Sequence, residues 1–206
     1  MLYNRLKEQL KNFIVFSLND IRKIEPKFYR RRLNEWQDKG YIKKLRRGYY
    51  MFAGVKLNEE ALFLVANRLY SPSYISFEMA FSYYGLIPES VYGITSATTR
   101  KTSSFKTPLG EFSYRRIKPS LMFGYRLVDY QGQNFKIAEI EKALLDYFYL
   151  NPHFEKEADF YELRFNSEEF LAKADMVKLD RYLEVFNNLS LRRRVKNFLT
   201  FIKGHK

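Results

Sequence analysis

The stretch KFYRRRLNEWQDK, residues 27–39, decides how the front of this chain is read. Pro26 stands just before it and suits the first turn of a helix, because proline lacks only an N–H that would be unpaired there. Gly40 stands just after it, where a left-handed cap closes a helix. With about 100° between successive side chains, Tyr29, Leu33 and Trp36 share one face, predicted to pack inward. Lys27, Arg31 and Asn34 fall on the opposite face, with Arg30 on its flank. Those side chains suit a major groove: Arg can bond bidentately to guanine and Asn to adenine, while Lys and further Arg neutralise phosphates.

On the C-terminal side, YIKKLRRGYYMF, residues 41–52, reads as two short strands with Arg46, Arg47 and Gly48 at the turn. Lys43, Lys44, Arg46 and Arg47 make that hairpin basic. On the N-terminal side, Leu2, Leu6, Leu10 and Phe13 recur at helical spacing and predict a first helix over 2–13. Ser17, with Asp20 three residues on, predicts the capped start of a second helix, Leu18 to Ile24. Helix, helix, basic helix and basic hairpin, in that order, spell a winged helix-turn-helix over residues 1–56. Charge agrees. Fifteen Lys and Arg fall in those 56 residues against five acids, so an excess of ten out of the chain's net +13 sits there. A local basic module is the electrostatic footprint of phosphate binding. Phe28, Tyr29, Tyr49 and Tyr50 could stack on unpaired RNA bases, but their spacing reads as packing, so double-stranded DNA is the expected partner.

Gly54 to Asn58 reads as a join, and residues 57–206 as a second, near-neutral unit. Asn58 caps a helix to about Leu69, and Ser76 one from Phe77 to Tyr84 that Gly85 closes. Strands are predicted at Ile94–Thr99, Phe105–Thr107, Glu111–Ile117, Tyr125–Tyr130 and Phe135–Ala138. A helix follows at Ile140–Leu150, and beyond Pro152 helical segments lie near 159–164, 167–174, 177–186 and 189–203. The fold class expected is therefore α+β: a winged helix-turn-helix, then a mixed α/β domain with a helical C-terminal region.

Composition narrows the chemistry. There is no Cys and there are two His, His153 and His205, so disulfides, thiolates and His-rich metal sites are excluded. No apolar run is long enough for a membrane span, and residues 1–16 are too charged for a secretory signal; a cytoplasmic protein without membrane contact is expected. No phosphate-binding glycine loop occurs, and Ser103, Ser104 and the threonines at 95–102 have no identifiable His partner. The alternative with most substance is a metal-dependent nuclease built on Glu139, Glu141, Lys142 and Asp146. On a helix, however, Glu139 and Glu141 would point about 160° apart, while Lys142 and Asp146 form an ordinary i, i+4 pair. No enzyme activity, metal or cofactor is expected.

Three stretches carry a family resemblance: YISFEMAFSYYGLIPE from Tyr74, ITSATTRKTSSFKTPLGEFSYRRIKPSLMFGYR from Ile94, and FKIAEIEKALLDYFYLNP from Phe135. Together they resemble the AbiEi family, antitoxins and transcriptional regulators of type IV abortive-infection toxin–antitoxin operons. The resemblance spans about residues 12–152, and the Thr98–Thr102 run, the Phe105–Gly110 turn and the Glu141–Asp146 helix are its most specific parts. It implies that the front module binds operator DNA and represses its own operon, and that the remainder counters a nucleotidyltransferase-like toxin encoded beside it, without requiring a stable complex. A stand-alone regulator is the other outcome it allows.

Overall fold

Three short helices and a small sheet open the chain. The structure, a computed structural model, describes residues 3–88 and 92–204, so Leu2 and His205 lie outside the described residues. Helix α1 covers Tyr3–Gln9, strand β1 Phe16–Ser17, helix α2 Leu18–Ile24, helix α3 Arg31–Asp38, and strands β2 and β3 Ile42–Arg46 and Tyr49–Phe52. The strands pair antiparallel in the order β1-β3-β2, with Phe16 opposite Tyr50 and Ile42 opposite Phe52. Leu6, Leu10, Phe16, Ile21, Phe28, Leu33, Trp36, Ile42, Tyr50 and Phe52 form a core of their own.

Local chemistry sets these boundaries. The Ser17 hydroxyl accepts the Asp20 N–H while the Asp20 carboxylate accepts the Ser17 N–H, a reciprocal cap on α2. Gly40, at φ +69°, reverses the chain after α3, with Tyr41 N–H bonding to Trp36 C=O and Gly40 N–H to Gln37 C=O. Two expectations change. First, α1 ends at Gln9 rather than Phe13, because the chain tightens into turns at Leu10–Asn12 and leaves Phe13 at the surface. Second, α3 starts at Arg31, not at Pro26. Pro26 and Lys27 form a turn that resets the helical phase, so Phe28 takes the inward place, 5.4 Å from the Trp36 ring, and Tyr29 is 76% exposed. Leu33 and Trp36 are buried as expected.

The rest of the chain makes the fold a mixed α+β one. Helix α4 (Glu59–Leu69) is capped by the Asn58 side chain. Strand β4 (Ser73–Ile75), helix α5 (Phe77–Tyr83), strands β5 (Ile94–Thr98), β6 (Ser103–Thr107), β7 (Gly110–Arg116), β8 (Tyr125–Tyr130) and β9 (Gln133–Ala138), and helix α6 (Ile140–Leu150) follow. The strands form one sheet in the order β6-β7-β5-β4-β9-β8, parallel at β5–β7 and β4–β9 and antiparallel elsewhere. Helices α7 (Glu157–Glu162), α8 (Ser167–Lys173), α9 (Met176–Phe186) and α10 (Leu189–Gly204) complete the chain. Helix α6 is buried for most of its length, with α5, α9 and α10 packed against it. Among the described residues no helix is long and apolar enough to cross a membrane.

The front unit is seated on this body. Val15, Leu45 and Met51 pack into the large core rather than their own. Arg68 of α4 reaches Asp20 at 2.7 Å, and the Gln133 amide donates to Asn12 C=O. Burial alone would raise the Asp20 carboxyl, but the Arg68 guanidinium and the Ser17 hydroxyl and N–H outweigh it and hold the group below the usual carboxylate range.

Candidate nucleic-acid interface

Residues 25–30 form the turn between α2 and α3, and β2 and β3 follow α3 as a hairpin. Helix α3 begins without a side-chain cap: its N-cap residue, Arg30, has helical backbone angles and makes no capping bond. The N–H groups of Arg32 and Leu33 are taken by the Tyr29 and Arg30 carbonyls, so this end offers the positive end of the helix dipole and its cationic side chains. Around it stand Lys27, Tyr29, Arg30, Arg31 and Asn34, all exposed. The Arg31 side chain is 89% exposed, and its ion pair to Glu35 is long at 3.6 Å. An exposed pair of that length holds Arg31 weakly.

The hairpin divides into two kinds of residue. Lys43 and Lys44 project from β2 into solvent, and Arg47 is exposed in the Arg47–Gly48 turn. Arg46 is the exception among the eight residues expected to meet nucleic acid. It ends β2 instead of sitting in the turn, it is half-buried, and its guanidinium turns toward the body of the protein. There it donates to Leu69 C=O at 2.8 Å and lies 4.0 Å from the centre of the Phe105 ring, with Tyr49 and Tyr70 each at 5.7 Å. A break in the β2–β3 register between Lys44 and Arg46 accompanies this turn inward. Arg46 is thus a clasp between hairpin and body. Its sequence signal, an arginine beside a second arginine and a glycine, does not separate a clasp from a groove contact. Tyr29, which a single helical phase from Pro26 places inward, stands exposed because the Pro26 turn breaks that phase.

The acids at the start of α6 and along it are engaged by neighbouring side chains and backbone. Lys142 and Asp146 of α6 are both fully buried and paired. The Asp146 carboxylate also accepts from Tyr74 Oη at 2.7 Å and Ser76 Oγ at 2.9 Å, and the Lys142 ammonium donates to Tyr74 Oη at 2.8 Å. Phe123 and Phe186 close over the ammonium. Burial pushes the Lys142 ammonium below the usual lysine range against the opposing pull of Asp146, and burial with the neighbouring Asp146 raises the Tyr74 phenol far up. This network ties β4 to α6. Glu139 and Glu141 do not diverge as an all-helical reading requires. Glu139 is an extended N-cap residue, so both carboxylates approach Lys178, at 3.7 and 3.6 Å. Glu141 also accepts the Asp175 N–H that begins α9. Among the described residues no three His, Asp or Glu side chains are grouped to hold a metal ion.

No protein-family model matches the chain, and no curated protein matches it. A solved structure does: the crystal structure of the RV2827C protein from Mycobacterium tuberculosis superposes with a TM-score of 0.63. The match covers 97% of this chain and 76% of that one at 14% identity, a likeness of fold alone.

Proposed function

We propose that the chain is a DNA-binding transcriptional repressor and antitoxin of the AbiEi type, with residues 1–56 as a winged helix-turn-helix, α3 as the recognition helix and the β2–β3 hairpin as the wing. The observation that carries the DNA half is the run of exposed polar and basic side chains on α3 and the turn before it, Lys27, Tyr29, Arg30, Arg31 and Asn34, followed by exposed Lys43, Lys44 and Arg47 on the hairpin. The cations suit phosphate, while Arg31 and Asn34 suit base edges. Arg46 leaves the contact set and becomes the residue that fixes the wing. The unit folds around its own core, which suits a module that presents one rigid face to a duplex.

The remainder carries little net charge, so its surface is better suited to a protein partner or to countering a partner's activity than to phosphate neutralisation. In this reading it opposes a nucleotidyltransferase-like toxin and performs no chemistry itself. Arg31→Ala and Asn34→Ala should each weaken binding to the chain's own upstream DNA by about 1–3 kcal/mol and relax its sequence preference. Unchanged affinity in both variants would remove α3 from the interface. For the antitoxin half, cells making the toxin encoded beside this chain should grow when the full chain is co-expressed. Growth arrest despite soluble full chain would leave a regulator alone.

A further inference from the structure

Strands β4 and β9 are parallel neighbours, yet they pair at one position, Ile75 opposite Ile137. Toward their N-terminal ends they part. Ser71 and Ser73 border the gap on one side, and Gln133, Asn134 and Lys136 on the other. Asn67 of α4 reaches in and accepts the Lys136 N–H at 2.6 Å. The result is a cleft of about 370 Å³ at the seam between the front unit and the body. Its volume falls in the range of small-molecule sites.

Two residues lining this cleft hold a buried polar atom with no partner among the described residues: Asn67 at Nδ2, and Ser73, only 2% exposed, at Oγ. A buried polar group left unpaired costs about 1–3 kcal/mol, so both favour a ligand that bonds to them. Asn67 Nδ2 can only donate, and the charged residues lining the cleft, Arg68 and Lys136, are both cationic, with the Arg68 guanidinium paired to Asp20 and the Lys136 ammonium 5.2 Å from the centre of the Tyr125 ring. Ile14, Val15 and Val65 supply an apolar wall. Donors and cations at one side with an apolar wall at the other call for an anion carried on an apolar body.

We propose that this cleft binds a small organic anion, a phosphate borne on an apolar ring and of nucleoside-monophosphate size. A bound phosphate competes with Asp20 for Arg68, and it lies beside Gln133, whose amide holds Asn12. Both contacts seat the front unit, so the ligand alters how that unit is held and with it the affinity for DNA. This consequence rests on the DNA-binding function proposed above; the binding itself does not.

The test is calorimetric titration of the full chain with adenosine monophosphate, inorganic phosphate and adenosine. Saturable binding of one adenosine monophosphate per chain, tighter than that of phosphate or adenosine, is expected. Ser73→Ala removes a hydroxyl that no hydrogen bond of the fold uses, so it should fold like the parent and weaken binding roughly three- to tenfold. Lys136→Gln should weaken it further and flatten its salt dependence. No heat with adenosine monophosphate at millimolar concentration, or equal binding by parent and both variants, overturns the site. In a second arm, adenosine monophosphate should change the affinity of the parent for its upstream DNA and leave Ser73→Ala less affected. Ligand binding with no DNA binding at all would sink the repressor reading and leave the cleft standing. Ligand binding with unaltered DNA affinity would overturn the coupling.

Discussion

Two neighbouring arginines in one hairpin are placed differently. Arg46 bonds to Leu69 C=O and stacks on Phe105, whereas Arg47 stands exposed in the turn. Arg46→Ala leaves a carbonyl without its donor and removes a cation–π contact, and should cost about 1–3 kcal/mol of stability in a denaturant titration. Arg47→Ala should leave the midpoint unchanged and weaken specific and non-specific DNA about equally, as a backbone contact does. Equal stability loss in the two variants would contradict the division. Tyr29 makes the complementary point. Leu33 and Trp36 were legible as core because hydrophobic side chains three apart in a helix share a face. Tyr29 was not, because the turn at Pro26, three residues earlier, breaks the helical phase.

Most elements were legible because their ends carry caps. Ser17, Gly40 and Asn58 each mark a boundary that the backbone obeys. Helix α6 runs from Ile140 to Leu150, as its apolar pattern predicts. The two-residue β1 was not legible, since so short a strand exists only by pairing with β3. Sheet order was not legible either: β9 lies beside β4 through contacts more than sixty residues apart, which no local pattern encodes. The Lys142–Asp146 pair was expected as an ordinary helical pair, and it is one in spacing. Its burial was hidden, because the side chains that seal it, Tyr74, Phe123 and Phe186, come from distant elements. Lys142→Met strands the Asp146 carboxylate in the core and should cost about 3–5 kcal/mol. Lys142→Met with Asp146→Asn removes the uncompensated charge and should recover part of that loss. A double variant less stable than the sum of the two single changes would argue against a paired charge.

Across the whole molecule, the front unit is held by apolar packing of Val15, Leu45 and Met51, by Arg46, and by the Asp20–Arg68 pair. The last of these carries a pH signature. The Asp20 carboxyl is depressed in the folded protein, so its stabilisation is fully present above the unfolded value near 4 and is lost as pH falls through the lower folded value. The stability difference between the parent and Arg68→Ala should therefore be constant near neutrality and shrink as the solution is acidified below about pH 4. A difference that persists unchanged under acid would remove Asp20 as the partner. In the proposed function such seating joins the basic front unit and the near-neutral remainder into one protein. The most direct test of that account is the affinity of the full chain for its own upstream DNA against a scrambled duplex of the same length and composition, measured across a range of salt. The account predicts a preference of about 10³-fold or more for its own DNA, with affinity for both duplexes falling steeply as salt rises. Equal affinity for the two duplexes, or none for either, would contradict it.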